Sequence, residues 1–183
     1  MEQHTITPGF VIWFTGLPAS GKSTLAHALS RRLAAQGIQV QVLDSDELRR
    51  QLTPHPTYAA AERDWFYDTI IYLAELLAKN GVHVFVAATG SRRAYRDAAR
   101  TRLPRFAELF VDCPTAVCQQ RDPKGLWQQA TTGQITTLPG RGDEYEPPLH
   151  PELHVNTGDK SVETAVSELW QQLEIQGFLA FFT

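Results

Sequence analysis

One stretch near the start of the chain decides the fold: Phe10-Val11-Ile12-Trp13-Phe14-Thr15-Gly16-Leu17-Pro18-Ala19-Ser20-Gly21-Lys22-Ser23-Thr24. Its first six residues form a run of apolar, aromatic and β-branched side chains, which is typical of a strand buried on both faces of a parallel sheet. A glycine-containing turn follows, and Leu25, Leu29 and Leu33 then recur at helical spacing. The stretch therefore predicts a strand, a tight loop and a helix in direct succession.

The loop between this strand and this helix matches the phosphate-binding motif G-x-x-x-x-G-K-[ST] in full. In such loops, backbone N–H groups at a helix N-terminus bind phosphate oxygens, where the helix dipole favours anions. We expect Lys22 to neutralise the outer phosphates and the Ser23 hydroxyl to bind Mg²⁺. The motif predicts a site for a nucleoside triphosphate and Mg²⁺ over residues 16–24, but it leaves the phosphate acceptor open.

Strand and helix patterns alternate along the rest of the chain. Further strands are predicted at residues 40–44, 82–87, 106–112 and 153–156, and helices at 22–36, 60–80, 93–102 and 161–176. Such alternation produces right-handed βαβ units, with ligands at the carboxyl ends of the strands. We expect an α/β protein with the P-loop NTPase fold. It would form a single domain over residues 1–183, with a parallel five-stranded sheet covered by helices on both faces.

Composition restricts the classes of protein that fit. The 183 residues are 43 % apolar and 20 % charged, with a net charge of −3. These values are ordinary for a globular domain, and the charge argues against a general nucleic-acid binder. Apolar runs are too short to cross a membrane, and the first residues lack a signal-peptide pattern. Cys113 and Cys118 suit neither a disulfide framework nor a zinc site, so we expect a cytoplasmic protein without membrane attachment.

The segment from about residue 121 to residue 150 differs from the rest of the chain. It is rich in proline, glycine and charges of both signs, and it shows no clear helix or strand pattern. Long irregular segments in compact domains are usually functional. We therefore expect a lid that closes over bound nucleotides.

Three further stretches carry a resemblance to a known family. They are Leu43-Asp44-Ser45-Asp46-Glu47-Leu48-Arg49, then Val111-Asp112-Cys113-Pro114, and then Val117-Cys118-Gln119-Gln120-Arg121-Asp122-Pro123-Lys124-Gly125-Leu126-Trp127. Together with the phosphate loop, they resemble adenylylsulfate kinase, also called APS kinase, in register over about residues 9–175. The resemblance implies transfer of a phosphoryl group from ATP to the 3′-hydroxyl of adenylyl sulfate, which serves sulfate assimilation. Its cofactors would be ATP and Mg²⁺, and its partner a small-molecule substrate.

On this sequence, the resemblance implies roles for two acidic residues. Asp46, at the end of the second strand, would accept the proton of the acceptor hydroxyl or bind Mg²⁺ through water. Asp44 would join Ser23 and Asp46 in binding the metal, and both acids would be catalytic together with Lys22. The alternative interpretation is a helix N-cap followed by a first-turn acid, for which one carboxylate suffices.

The resemblance also implies contacts with the two nucleotides. Arg49 and Arg63 match the family's arginines that bind the adenylyl sulfate anion, and Tyr58 replaces a phenylalanine that stacks on its adenine. Lys124 would reach the sulfate from the lid, and Arg121 would lie over the adenine of ATP. The ordinary alternatives are surface ion pairs for the basic residues and core packing for Tyr58.

Several positions on the acceptor side depart from the family pattern. An asparagine and two arginines of the family are replaced here by Phe66, Asp68 and Thr69, and a family serine is replaced by Gly90. Leu138 stands where the family has a second stacking aromatic residue. We expect weaker binding of adenylyl sulfate than with the full motif. Replacing Phe66 with asparagine should strengthen that binding unless Phe66 belongs to the core.

Some alternatives stay open from sequence alone. The acceptor site could suit a different nucleotide or a small hydroxyl compound, with Trp65 and Phe66 as substrate contacts or as core residues. A non-catalytic nucleotide-binding module is disfavoured because Lys22, Ser23 and Asp46 are all present. The aromatic segment at 178–182 predicts burial against the body of the protein or against a second subunit, as in a homodimer.

Overall fold

The computed structural model describes residues 6–180. Its elements in chain order are β1 (Val11–Thr15), α1 (Lys22–Ala34), β2 (Val40–Asp44), α2 (Ser45–Leu52), α3 (Ala60–Lys79), β3 (His83–Ala87), α4 (Arg93–Arg102), β4 (Phe106–Asp112), α5 (Thr115–Arg121), α6 (Leu126–Thr131), β5 (Leu138–Pro139), β6 (Gly142–Asp143), β7 (Leu153–Asn156) and α7 (Val162–Ile175).

Five parallel strands form one sheet in the order β2-β3-β1-β4-β7. The β1 strand lies at the centre, where Ile12 pairs with Phe85 on one side and with Ala107 on the other. All five residues of β1 are buried, as the continuous apolar run predicts. The predicted α/β fold with a parallel five-stranded sheet is therefore confirmed.

Alternate side chains of β1 enter two separate cores, because successive residues of a strand point to opposite faces. Ile12 and Phe14 pack with the buried residues of α1 and α7 on one face of the sheet. Val11 and Trp13 pack on the other face with α3 and α4. The two layers fix the carboxyl ends of the strands as one rigid edge.

The segment predicted as irregular contains more regular structure than the sequence pattern indicated. Helix α6 and the two-residue strands β5 and β6 lie within 121–150, and α5 leads into it. Trp127 and Leu138 form a small third core with Cys113 and Cys118, against which Leu17 of the phosphate loop packs. The sequence showed no clear pattern here because α5 and α6 are short and bury only Cys118 and Trp127, which produces no visible periodicity. The lid itself stays a prediction.

The C-terminal aromatic segment packs against the body of the protein as far as it is described. Phe178 and Leu179 are buried in the α1/α7 core, and the Phe178 ring contacts the Phe10 ring edge-on at 5.7 Å between centroids. Phe181 and Phe182 lie outside the described residues. Over residues 6–180 there is no helix whose length and apolar character would let it cross a membrane.

Candidate active site

One cavity of about 970 Å³ opens at the carboxyl ends of β1, β2 and β3. This volume is at the upper end of small-molecule sites, which span about 300–1,000 Å³. The sequence-predicted residues that line it are Pro18, Ala19, Gly21, Lys22, Ser23, Thr24, Asp46, Arg49, Tyr58, Arg63, Arg121, Lys124 and Leu138. Of the predicted site residues, Gly16, Leu17, Ser20 and Asp44 are not part of its wall. The fold thus brings the residues predicted to bind ATP and the residues predicted to bind the acceptor into a single cavity.

The phosphate loop is closed by its own lysine. Lys22 Nζ donates to the carbonyl oxygens of Gly16 and Leu17, at 3.0 and 2.8 Å. Burial lowers the pKa of Lys22 to about 8, and the nearby Asp46 carboxylate only partly offsets this effect. A Cβ atom at position 16 would lie 2.4 Å from the carbonyl oxygen of Val111, so only glycine allows this close approach of the two backbones.

Thr157 fixes the floor of the loop, a role that the sequence did not suggest. Its hydroxyl lies 2.8 Å from the carbonyl oxygen of Ser20 and 3.2 Å from that of Asp112, at the end of β4. Ser20 is itself fully buried, and its hydroxyl is the one buried side-chain polar atom without a partner among residues 6–180. The available signal was the position of Thr157 and Gly158 directly after the strand predicted at 153–156.

The two acids after β2 have different environments. Asp44 is buried, and its Oδ1 atom accepts from the backbone N–H groups of Asp46 and Glu47, at 2.8 and 3.4 Å. Asp44 is therefore the N-cap of α2, as the alternative interpretation allowed. Asp46 lies in the first turn of α2 rather than at the end of β2, so its predicted position is corrected. Its half-exposed carboxylate pairs with Lys124.

Arg49 lies between two aromatic rings at the acceptor end of the cavity. Its guanidinium carbon is 3.8 Å from the ring centre of Phe66 and 4.9 Å from that of Tyr58. Its Nη1 atom donates to Glu62 at 3.2 Å. Hydrogen bonds from Thr57 hold the pKa of Glu62 below its ordinary value, so this acid is ionised at neutral pH. The structure places Phe66 in the core, at 0 % exposure, while Trp65 is half exposed and lies outside the cavity wall.

Arg63 joins the first turn of α3 to the predicted lid. It pairs with Asp143 of β6, and its Nη2 atom donates to the carbonyl oxygen of Thr137 at 2.7 Å. Leu138, next to that carbonyl, is buried in the third core and also lines the cavity. The two predicted substrate contacts are thereby brought together by the lid itself.

The opposite end of the cavity lies between Arg121 and the start of α7. The Arg121 guanidinium donates to the carbonyl oxygen of Thr157 and contacts the Cys113 sulfur at 3.6 Å. Sequence reasoning missed the α7 side of this end, which is lined by Lys160, Ser161, Val162 and Ala165. The N-cap of α7 lies there, but nothing in its sequence distinguishes it from other helix starts.

The loop after β3 is fixed by a buried arginine. Arg96 is 1 % exposed and donates to the Glu108 carboxylate and to the carbonyl oxygens of Gly90 and Glu146. A Cβ atom at position 90 would lie 3.2 Å from the side chains of Arg96 and Trp13. A serine at position 90 would therefore require these neighbours to move. The buried Ser91 lines the cavity instead.

Known proteins resemble this chain over most of its length. The profile of the adenylylsulphate kinase family matches residues 8–156. An adenylyl-sulfate kinase of Rippkaea orientalis is 41 % identical over 172 residues, which cover 94 % of this chain and 95 % of that protein. Another, from Deinococcus deserti, is 40 % identical over 175 residues, or 96 % and 97 % of the two chains. The chain belongs to the adenylylsulphate kinase family.

A solved structure extends this agreement to the fold. The APS kinase of Mycobacterium tuberculosis in complex with AMPPNP and APS superposes with a TM-score of 0.85 at 35 % identity, covering 91 % of this chain and 98 % of that one. Family membership confirms the resemblance drawn from the motifs, and with it the prediction of an ATP-dependent adenylyl-sulfate kinase. The roles of individual residues follow from the geometry and are proposed below.

Proposed function

We propose that the cavity binds ATP at the phosphate loop and adenylyl sulfate between α2, α3 and the lid, and that it transfers the γ-phosphoryl group between them. The observation that carries this proposal is the position of Asp46. Its carboxylate pairs with Lys124 of the lid and interacts electrostatically with Lys22 of the phosphate loop. An acid that lies near a lysine of the lid and near the lysine of the phosphate loop is suitably placed between the ATP site and the acceptor site.

In the proposed reaction, the ribose 3′-oxygen of adenylyl sulfate attacks the γ-phosphorus of ATP, and the bond to the β–γ bridging oxygen breaks. ADP leaves with the electron pair of that bond, and the hydroxyl proton passes to the Asp46 carboxylate. Lys22 and the loop N–H groups stabilise the charge that develops on the phosphate oxygens. This chemistry depends on positioning and charge neutralisation more than on covalent participation of the protein.

The residues at the phosphate loop fit a Mg²⁺ ion. Mg²⁺ usually keeps several waters and is bound by one or two protein oxygens together with substrate phosphates. Ser23 and Asp46 line the cavity and supply such oxygens, while no group of three potential metal ligands occurs within residues 6–180. When bound, the ion would neutralise the β- and γ-phosphates. Asp44 would act through α2, whose first turn it caps, rather than as a ligand.

The acceptor end is suited to a doubly anionic ligand. Arg49, Arg63 and Lys124 line it together, and guanidinium groups match phosphate and sulfate oxygens in charge and shape. Tyr58 is 44 % exposed at its rim and is available to stack on an adenine, with Leu138 as the apolar surface opposite. At the ATP end, Arg121 would contact the base.

A coupled ADP-release assay with ATP and Mg²⁺ tests this proposal against the alternative of a different acceptor. We expect adenylyl sulfate to be turned over faster than other nucleotides, sugars and small alcohols. Rapid turnover of another hydroxyl compound with none of adenylyl sulfate would overturn the acceptor assignment. The absence of any ATP turnover would support a non-catalytic module instead.

A homodimer and a cytoplasmic location remain predictions. The burial of Phe178 and Leu179 within the chain removes part of the reason to expect a subunit interface at the C-terminal segment. Sedimentation of the purified protein would determine its oligomeric state.

A further inference from the structure

Phe66 occupies two environments at once. Its side chain is fully buried among the residues that α3 and α4 pack against the sheet, yet it also lines the cavity. The part of Phe66 that reaches the cavity faces a charge, since the Arg49 guanidinium carbon lies 3.8 Å from its ring centre. The Phe66 ring therefore packs in the core and also contacts a charged group of the cavity.

Arg49 is oriented from three sides. The Phe66 ring lies beneath the guanidinium, the Tyr58 ring lies 4.9 Å from the guanidinium carbon, and Glu62 accepts from Nη1 at 3.2 Å. Glu62 is in turn fixed by the backbone and hydroxyl groups of Thr57, at 2.7 and 2.6 Å. An arginine side chain has five N–H donors. Within residues 6–180, Glu62 is the one group that accepts a hydrogen bond from the Arg49 side chain. The remaining donors are available to a ligand.

We propose that Phe66 is a positioning residue that orients Arg49 towards the anionic group of the acceptor nucleotide. The ring attracts the guanidinium through its π-face and restricts the rotamers of a long, flexible side chain before the ligand arrives. This inference rests on the proposed function, because it assigns Arg49 to the acceptor. Asparagine at position 66 was expected to strengthen binding unless Phe66 belongs to the core, and Phe66 does belong to the core, so that exception applies.

The first experiment compares Phe66→Leu with Phe85→Leu. Both substitutions remove a fully buried ring, but Phe85 packs in the other core, with α1 and α7. We expect Phe66→Leu to raise KM for adenylyl sulfate by about 3- to 30-fold, the range of a partly to fully desolvated cation–π contact, with KM for ATP unchanged. Phe66→Tyr, which keeps the ring, should leave KM closer to the wild-type value than to that of Phe66→Leu.

A double-mutant cycle with Arg49→Met separates positioning from packing. If Phe66 acts through Arg49, Phe66→Leu has no further effect on KM for adenylyl sulfate once Arg49 is replaced. An equal loss in both backgrounds, or an equal loss in the Phe85→Leu control, would overturn the inference. A wild-type enzyme that does not use adenylyl sulfate at all would instead overturn the proposed function.

Discussion

The Nζ atom of Lys124 donates a hydrogen bond to the Asp46 carboxylate across 78 positions of the chain. The same arrangement recurs at the acceptor end, where Arg63 pairs with Asp143 and Arg49 with Glu62. Each cation assigned to the acceptor is thus neutralised by an acid of the same chain. The Lys124–Asp46 pair is half exposed to solvent, and such pairs are individually weak, so an anionic ligand can replace Asp46 at low cost. The two arginine pairs are partly buried.

Replacement of Lys22 with alanine should abolish phosphoryl transfer while the fold stays intact. Lys22 is the cation of the phosphate loop and is proposed to stabilise the transferring phosphate, and such electrostatic contacts contribute about 100-fold or more to the rate. The measurement is kcat in the ADP-release assay, with thermal unfolding as the control for folding. Wild-type turnover in the variant would contradict the assignment.

Binding of ATP should be coupled to proton uptake near pH 9. With a pKa of about 8, the Lys22 amine is mostly neutral at that pH in the free protein. Phosphate charges favour the ammonium form and raise its pKa, so affinity for ATP falls as the pH rises above 8. With Mg²⁺ and ATP together, most of one proton should be taken up on binding at pH 9, and much less at pH 6.5.

Calorimetry of ATP binding in buffers of different ionisation enthalpy measures this uptake directly. Lys22→Arg is the matched control, because arginine keeps its charge throughout this pH range. Uptake at pH 9 that is the same in this variant as in the wild type would show that another group titrates.

Asp46→Asn and Asp44→Asn should separate chemistry from helix capping. Loss of a proton acceptor costs about 100- to 10,000-fold in rate, so Asp46→Asn should lower kcat far more than it raises KM for ATP. Asparagine retains the acceptor oxygen of an N-cap, so Asp44→Asn should keep α2 and most of kcat. Asp44→Ala should lower the free energy of unfolding by about 0.5–2 kcal/mol. Equal losses of kcat in the two asparagine variants would show that Asp44 contributes more to the reaction than the cap of α2.

The sequence allowed the central elements to be predicted because they bury a periodic apolar pattern. The β1 run and the leucines of α1 are examples, and both helix and strand begin within one residue of the predicted position. Helix α2 gave no such signal, since it buries none of its eight residues and depends on the Asp44 cap. A single carboxylate before a charged stretch is too common a pattern to identify a helix.

Residues that line the site could be predicted, but their pairings could not. The Arg63–Asp143 contact joins residues 80 positions apart, and neither side chain identifies the other by spacing or by type. The contact between Phe66 and Arg49 was equally hidden, because a phenylalanine at a core position of α3 has the same sequence pattern whether or not a guanidinium lies against it.

Asp143→Asn should loosen the predicted lid in the absence of ligands and strengthen acceptor binding. In the proposed site, Asp143 competes with the ligand for Arg63. If this partly buried ion pair contributes about 0.2–1 kcal/mol, as exposed pairs do, KM for adenylyl sulfate should fall by about 1.4- to 5-fold, and by more if burial strengthens the pair. Backbone amides of residues 121–145 should exchange faster than in the wild type when no nucleotide is bound. With a non-hydrolysable ATP analogue and adenylyl sulfate bound, protection of these amides from exchange should be equal in the two proteins, because the ligands then close the lid.

Glu144→Gln is the control. It removes a neighbouring charge that makes no ion pair within residues 6–180, so it should change neither KM for adenylyl sulfate nor the exchange rates. A rise in KM for adenylyl sulfate in Asp143→Asn would mean that Asp143 positions Arg63 for the ligand instead of competing with it.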